Sequence, residues 1–258
     1  SLAMAAGTMD VPTRSEVQNQ LDALNRQKTP TPGEKLTQQD LFRTLELLDA
    51  LDRVKQEQSQ LKQQLADAPN QLRIATEGLS KLQDKSDDAA TKSQLASLSL
   101  RQLESRLGDT LDDLQASQND LSTFNTQLIT LQTQPERVQN AMYSYSKSLQ
   151  NIRNQLNGMS PNQQELRSSQ QQMLVTEQAL LNAEIDLQRN NLQANTTLQD
   201  LLQKQRDYTN GHINQLEKFT QLLQDVVNGK RLTLSERTAK EAQTPGDTTD
   251  LQKDPLVS

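Results

Sequence analysis

The sequence predicts an all-α fold, an elongated antiparallel helical bundle or coiled coil with three long helices. Three observations lead there. Large rings are scarce: aromatics make up 2% of the chain, Trp is absent, and only 33% of residues are hydrophobic. That cannot fill a thick central core, but it can fill narrow seams between helices. Leu and Gln supply about eighty residues between them, whereas the β-branched and aromatic residues that sheets favour are few. Finally, apolar residues recur at three-and-four spacing through long tracts that lie between prolines 12, 30, 32, 69, 135, 161, 245 and 255.

Residues 1–12 read as a disordered N-terminus, either a cloning scar or the stump left by signal cleavage. A short helix follows over Thr13 to Gln27, where Thr13 and Glu16 have the spacing of a capping box and Val17, Leu21 and Leu24 form one stripe. Thr29-Pro-Thr-Pro-Gly33 ends it as a stiff loop. Glu34 to Ala68 is the next helix, with Leu41, Leu45, Leu48, Leu51 or Asp52, Val54 or Lys55, Leu61 and Leu65 in phase. Gln58 falls on that stripe, where a polar group weakens the seam and helps fix its register. Pro69 closes or kinks the tract. Residues 70–82 are helical again through Leu72, Ala75, Leu79 and Leu82, and Asp84 to Asp88 is a loop.

The strongest periodicity follows. Leu100, Leu107, Leu114, Leu121 and Leu128 repeat every seven residues, and Leu103, Thr110, Ser117, Phe124 and Leu131 complete the second row. The small Thr110 and Ser117 imply a close antiparallel partner. Pro135 reads as the first turn of a new helix with Glu136 beside it, carrying Val138, Met142, Tyr145, Leu149, Ile152 and Leu156. Asn157-Gly158 is a stop, and Ser160-Pro161 a restart. From Leu166 to Val227 one apolar phase persists past Asn210-Gly211. Asn228-Gly229 is expected to end this helix, and Thr233-Leu-Ser-Glu236 to cap a short last one. The helical domain thus covers 13–242, and 243–258 is a polar C-terminal linker truncated from a longer chain. Short turns between the helices make sequential neighbours antiparallel.

Chemistry has little to work with. The chain holds no Cys and one histidine, which excludes disulfides, thiol catalysis and any multi-His metal site. His212 falls on the apolar phase and reads as a seam residue. Asp112-Asp113 and Asp87-Asp88 are adjacent pairs, which on a helix diverge by about 100° and so do not converge on a substrate. No phosphate loop, dinucleotide fingerprint or zinc motif is present. Lys230-Arg231 reads as a basic pair beside a helix C-terminus. Of the two neighbouring tyrosines, Tyr145 belongs to the seam and Tyr143 to the exposed face. Net charge is −6 with both signs dispersed, which argues against nucleic acid as a partner. The expectation is a non-enzyme without cofactors. Its candidate functional residues are the seam itself: Leu100, Leu103, Leu107, Leu114, Leu121, Phe124, Leu128, Leu131, Val138, Met142, Tyr145, Leu149, Ile152 and Leu156.

Several segments carry a family resemblance. They are residues 98–107 (LSLRQLESRL), 131–142 (LQTQPERVQNAM), 180–189 (LLNAEIDLQR), 198–208 (LQDLLQKQRDY) and 230–242 (KRLTLSERTAKEA). In order from about Asp10 to Val257, the chain resembles the amino-terminal periplasmic region of large MscS-superfamily mechanosensitive channels of the potassium-dependent MscK/KefA type. The resemblance implies a Gram-negative inner-membrane channel that opens under tension during hypo-osmotic shock, with gating that depends on external potassium. This segment would be its periplasmic helical arm. Its partners would be the membrane and pore domains of the same polypeptide and the neighbouring subunits of a homoheptamer. Without the resemblance, the residues fit equally a stand-alone structural coiled-coil tether or scaffold.

Overall fold

The computed structural model describes residues 10–82, 87–158 and 165–243, and among them there are five α-helices and no strand. These are α1 (Arg14–Asn25), α2 (Pro32–Leu82), α3 (Asp88–Ala96), α4 (Leu100–Leu156) and α5 (Ser168–Ala242). The two shortest, α1 and α3, have 12 and 9 residues; α2, α4 and α5 have 51, 57 and 75.

Capping fixes where the helices start. Thr13 accepts from the Glu16 amide and Glu16 returns a bond to the Thr13 amide, the expected box at α1. The same reciprocal pattern joins Thr31 to Glu34 at α2 and Ser99 to Gln102 at α4. Because Thr31 caps and Pro32 needs no N–H partner in the first turn, α2 begins two residues before Glu34. Asp87 accepts from the amides of Ala89 and Ala90 at 3.1 and 3.3 Å. Asp87 is therefore the extended cap and Asp88 the first residue of α3, so the expected loop stops one residue short; residues 83–86 lie outside the described residues.

Four further expectations are corrected. Pro69 does not close its tract but lies inside α2, and Pro135 does not start a helix but lies inside α4. A proline within a helix forfeits one hydrogen bond and costs about 3 kcal/mol, yet in both helices the buried stripe runs on past it. Non-exposed positions of α2 step by threes and fours from Thr44 through Leu51, Gln58, Leu65, Ala68 and Ala75 to Leu82, with Leu72 the one exposed member. In α4 the stripe ending at Leu131 and the one starting at Val138 share a single heptad frame, with Pro135 itself on the Leu100 row. Packing of a continuous face outweighs one lost bond, so the helix is not interrupted. The third and fourth corrections concern α5, which runs through both Asn228-Gly229 and Thr233–Glu236. Gly158 is the one glycine at positive φ among the described residues, at 69°, and it does close α4. Gly229 keeps ordinary helical geometry and so provides no such stop. The restart at Ser160-Pro161 and the linker from Thr244 onward lie outside the described residues.

The chain packs as two compact units, one formed by residues 1–69 with 129–200 and the other by 70–128 with 201–258. In the first, Val17 and Leu21 of α1 pack on Leu41, Leu45 and Leu48 of α2. There α5 runs alongside α2 in the same direction, since Asp40 meets Ser169 and Gln58 meets Ala183. Against α4 it is antiparallel, with Leu131 beside Asn195 and Leu149 and Ile152 clustered with Leu174, Leu181 and Ile185. The second unit repeats this arrangement. Gly78 and Leu82 of α2 meet Tyr208 and Gly211 of α5, whereas Leu103 of α4 packs with Leu223 and Val227 of α5 and Leu95 of α3.

Candidate functional site

The seam of α4 is the predicted site, and the structure places each of its residues. Leu103, Leu128, Val138, Leu149 and Ile152 are buried; Leu100, Leu107, Leu114, Leu121, Phe124, Leu131, Met142, Tyr145 and Leu156 are half-buried. Thr110 and Ser117 are buried on the same face. A buried threonine is tolerated where its hydroxyl bonds back to its own helix, and Thr110 does so to the Arg106 carbonyl at 2.8 Å. Thr44 in α2 and Thr176 in α5 solve the same problem in the same way. Tyr143 is 74% exposed, on the other face from Tyr145.

Periodicity in α4 does not reveal which groups face it across the seam. The polar contacts between the helices stand out. Asp40 of α2 is 7% exposed and accepts from Ser169 Oγ at 2.8 Å and from Arg167 Nε at 3.1 Å. This carboxylate lies at the first turn of α5, where the helix dipole favours negative charge. Asn195 of α5, 6% exposed, donates to the Leu131 carbonyl and to Gln134 Oε1, both at 2.8 Å. The Leu131 carbonyl is the acceptor that residue 135 would have bonded if it were not proline. Arg137 adds a bond to the Thr130 carbonyl at 2.8 Å. Both carbonyls beside the proline are therefore partnered.

A third polar group spans three helices of the first unit. Burial raises the Glu184 carboxyl above its ordinary value, and the neighbouring Glu57 charge adds to the shift. The Tyr145 phenol is raised by burial first, then by Glu184 and Glu57. The half-buried Glu184 thus bears both the burial and the repulsion, whereas Glu57 is exposed.

In the second unit, Lys230 reaches the C-terminus of α3, donating to the Ala96 carbonyl at 3.1 Å and also to the Leu98 carbonyl. Arg231 pairs with Glu104 at 2.7 Å. The basic pair thus lies beside a helix C-terminus, as expected, but that of α3 and not of its own helix. His212 stacks on Tyr208 with centroids 5.8 Å apart. Tyr208 in turn lies over Gly78, where a Cβ would stand 2.6 Å from the ring. Only a glycine admits the ring there.

These groups join helices, and none converges on a point where a substrate would react. Among the described residues no cluster of three or more His, Asp or Glu could hold a metal, and no helix is long and apolar enough to cross a membrane.

Comparison with known proteins decides the family. The family model described as "mechanosensitive ion channel porin domain" matches residues 20–258. The chain belongs to that family. Over 257 residues, 100% of the chain, it is 52% identical to mechanosensitive channel MscK of Escherichia coli (strain K12). The resemblance to the MscK/KefA type drawn from the segments quoted above therefore holds over the whole length. The chain spans 23% of that relative. No solved structure matches this porin-domain chain.

Proposed function

We propose that this chain is a periplasmic helical interaction and sensory arm of a tension-gated MscS-superfamily channel that protects a Gram-negative cell against hypo-osmotic shock. The observation that carries the reading is the 52% identity to MscK, unbroken from one end of the chain to the other. Its partners are the membrane and pore domains of the same polypeptide and neighbouring subunits of a homoheptamer, at the periplasmic face of the inner membrane. It works without catalysis or cofactor.

The helical domain over 13–242 is an antiparallel coiled-coil bundle with three long helices. The 51, 57 and 75 residues of α2, α4 and α5 support this. The seam residues of α4 act by holding the arm stiff, so that a displacement at one place is passed along it. Scattered surface carboxylates do not form a potassium receptor, and the arm acts mechanically or sterically. The alternative, a stand-alone tether or scaffold, has no observation favouring it over a match to a channel that covers the entire chain.

Labelling tests the placement. The chain has no Cys, so Tyr143→Cys, at a highly exposed position, gives one reporter in a full-length channel stripped of any other thiols. A membrane-impermeant maleimide added outside spheroplasts is expected to modify it fully. Modification only after the membrane is broken would reject a periplasmic arm.

A further inference from the structure

We propose that Pro135 and Asn195 together form a register lock, which selects one alignment of α4 against α5 from several that the apolar packing alone would permit. The inference starts from a redundancy. The inward positions of α4 repeat every seven residues along its length, save at Pro135, where Gln134 takes the inward place. The facing side of α5 does the same, through Leu174, Leu181, Gln188, Asn195, Leu202 and Thr209, none of them exposed. Two seven-residue patterns coincide again when one helix slides past the other by one repeat, about 10 Å at 1.5 Å per residue. Leucine against leucine does not tell these alignments apart, and a buried polar residue is the usual means by which helix pairs do so.

Pro135 supplies the asymmetry. Its missing N–H leaves the Leu131 carbonyl without an intrahelical donor, and Pro135 itself is exposed while Gln134 turns inward. Asn195 meets both groups, the Leu131 carbonyl and Gln134 Oε1, at 2.8 Å each. Gln199 Nε2 donates to Asn195 Oδ1 at 2.5 Å, which fixes the orientation of the amide. Sliding α5 by one repeat brings Leu202 to the proline in one direction, with nothing to donate, and Gln188 in the other, with an amide of its own. In either direction Asn195 comes to lie against a continuous stretch of helix, whose carbonyls are already bonded. Each shifted alignment therefore strands a buried amide, a larger loss than a formed bond gains.

The test reads alignment directly. Spin labels at Gln132→Cys on α4 and Asn182→Cys on α5, both exposed positions of the first unit, are the only thiols in a chain without Cys. Electron–electron distance measurement on the otherwise unchanged chain is expected to give one narrow population. Asn195→Leu is expected to keep the helix content and to add a second population, with the labels displaced by about 10 Å along the axis. Should that variant lose helix, Pro135→Ala with Asn195→Leu carries the test, because the restored amide leaves no carbonyl unpaired. The double variant is expected to be at least as helical as the wild type and to show two populations. A single unchanged distance in either folded variant overturns the proposal.

Discussion

Arg167 and Asp40 stand 127 residues apart in the chain and meet at 3.1 Å, with Ser169 Oγ bonded to the same carboxylate oxygen. The side chain of Asp40 is 10% exposed and that of Arg167 38%. The contact pins the first turn of α5 against α2. A carboxylate buried this deeply depends on its donors, because losing them leaves its desolvation uncompensated.

Arg167→Ala is therefore expected to destabilise the chain by about 2–3 kcal/mol, the range for hydrogen bonds to a charged group. Ser169→Ala, which removes one donor to the same charged carboxylate, should cost about 1.5–2 kcal/mol. Urea denaturation of the chain measures both. An Arg167→Ala variant as stable as the wild type would show that Asp40 is solvated and the clamp is not a clamp.

Glu184 gives a pH dependence with a definite sign. Its carboxyl value is raised in the fold, first by burial and then by Glu57. A raised value means that the folded chain binds the proton more tightly than the unfolded chain, so this side chain favours folding at low pH and loses that contribution as pH rises through the raised value. Glu184→Gln should make the chain more stable than wild type at neutral pH. The difference should shrink as pH falls through the raised value, and vanish below the ordinary carboxylate value. Denaturation midpoints across pH follow it; a difference that grows on acidification contradicts the assignment.

Most of the fold was legible from spacing. The leucine rows of α4, the capping box at Thr13 and the stop at Gly158 each depend on residues close in sequence, and so each could be read locally. The errors arose where a local signal competed with packing. Pro69, Pro135 and Gly229 are strong breakers in isolation; burial on both sides overrode the two prolines, whereas past Gly229 the helix runs on through exposed residues with its backbone still right-handed. The α4 case was nonetheless decidable, since Leu131 and Val138 are seven residues apart and so share one row. The polar contacts at Asp40, Asn195 and Lys230 were not legible. Each joins residues more than sixty positions apart, and no periodicity in one helix names its partner on another.

Glycines give a paired comparison. Gly108 is exposed and a Cβ there meets nothing within 4 Å, so Gly108→Ala should stabilise the chain by up to about 1 kcal/mol through helix propensity. Gly78→Ala gains the same propensity but puts a methyl 2.6 Å from the Tyr208 ring, and overpacking should leave a net loss of about 1–2 kcal/mol. Thermal denaturation of the two variants side by side checks the contrast. Equal effects would mean that the Tyr208 ring does not rest on Gly78.

Lys230 partners the last carbonyls of α3, which has only 9 residues and Leu95 as its one buried anchor. Lys230→Met keeps much of the aliphatic stem and removes the ammonium, and should cost about 1 kcal/mol. The loss should be local. Hydrogen exchange is expected to quicken at residues 91–98 and to stay unchanged at Leu149 and Ile152. Unchanged protection of α3 would place its stability elsewhere.

The arm reading is tested most directly by patch-clamp recording from the full-length channel carrying Leu103→Asp. Leu103 is 0% exposed and packs against Leu223 and Val227, so a carboxylate there should cost about 3 kcal/mol or more. The proposal predicts a shifted tension threshold for opening with single-channel conductance unchanged, because the softened arm couples differently while the pore is untouched. A threshold identical to wild type, in a channel whose arm is confirmed by proteolysis to have loosened, would contradict it.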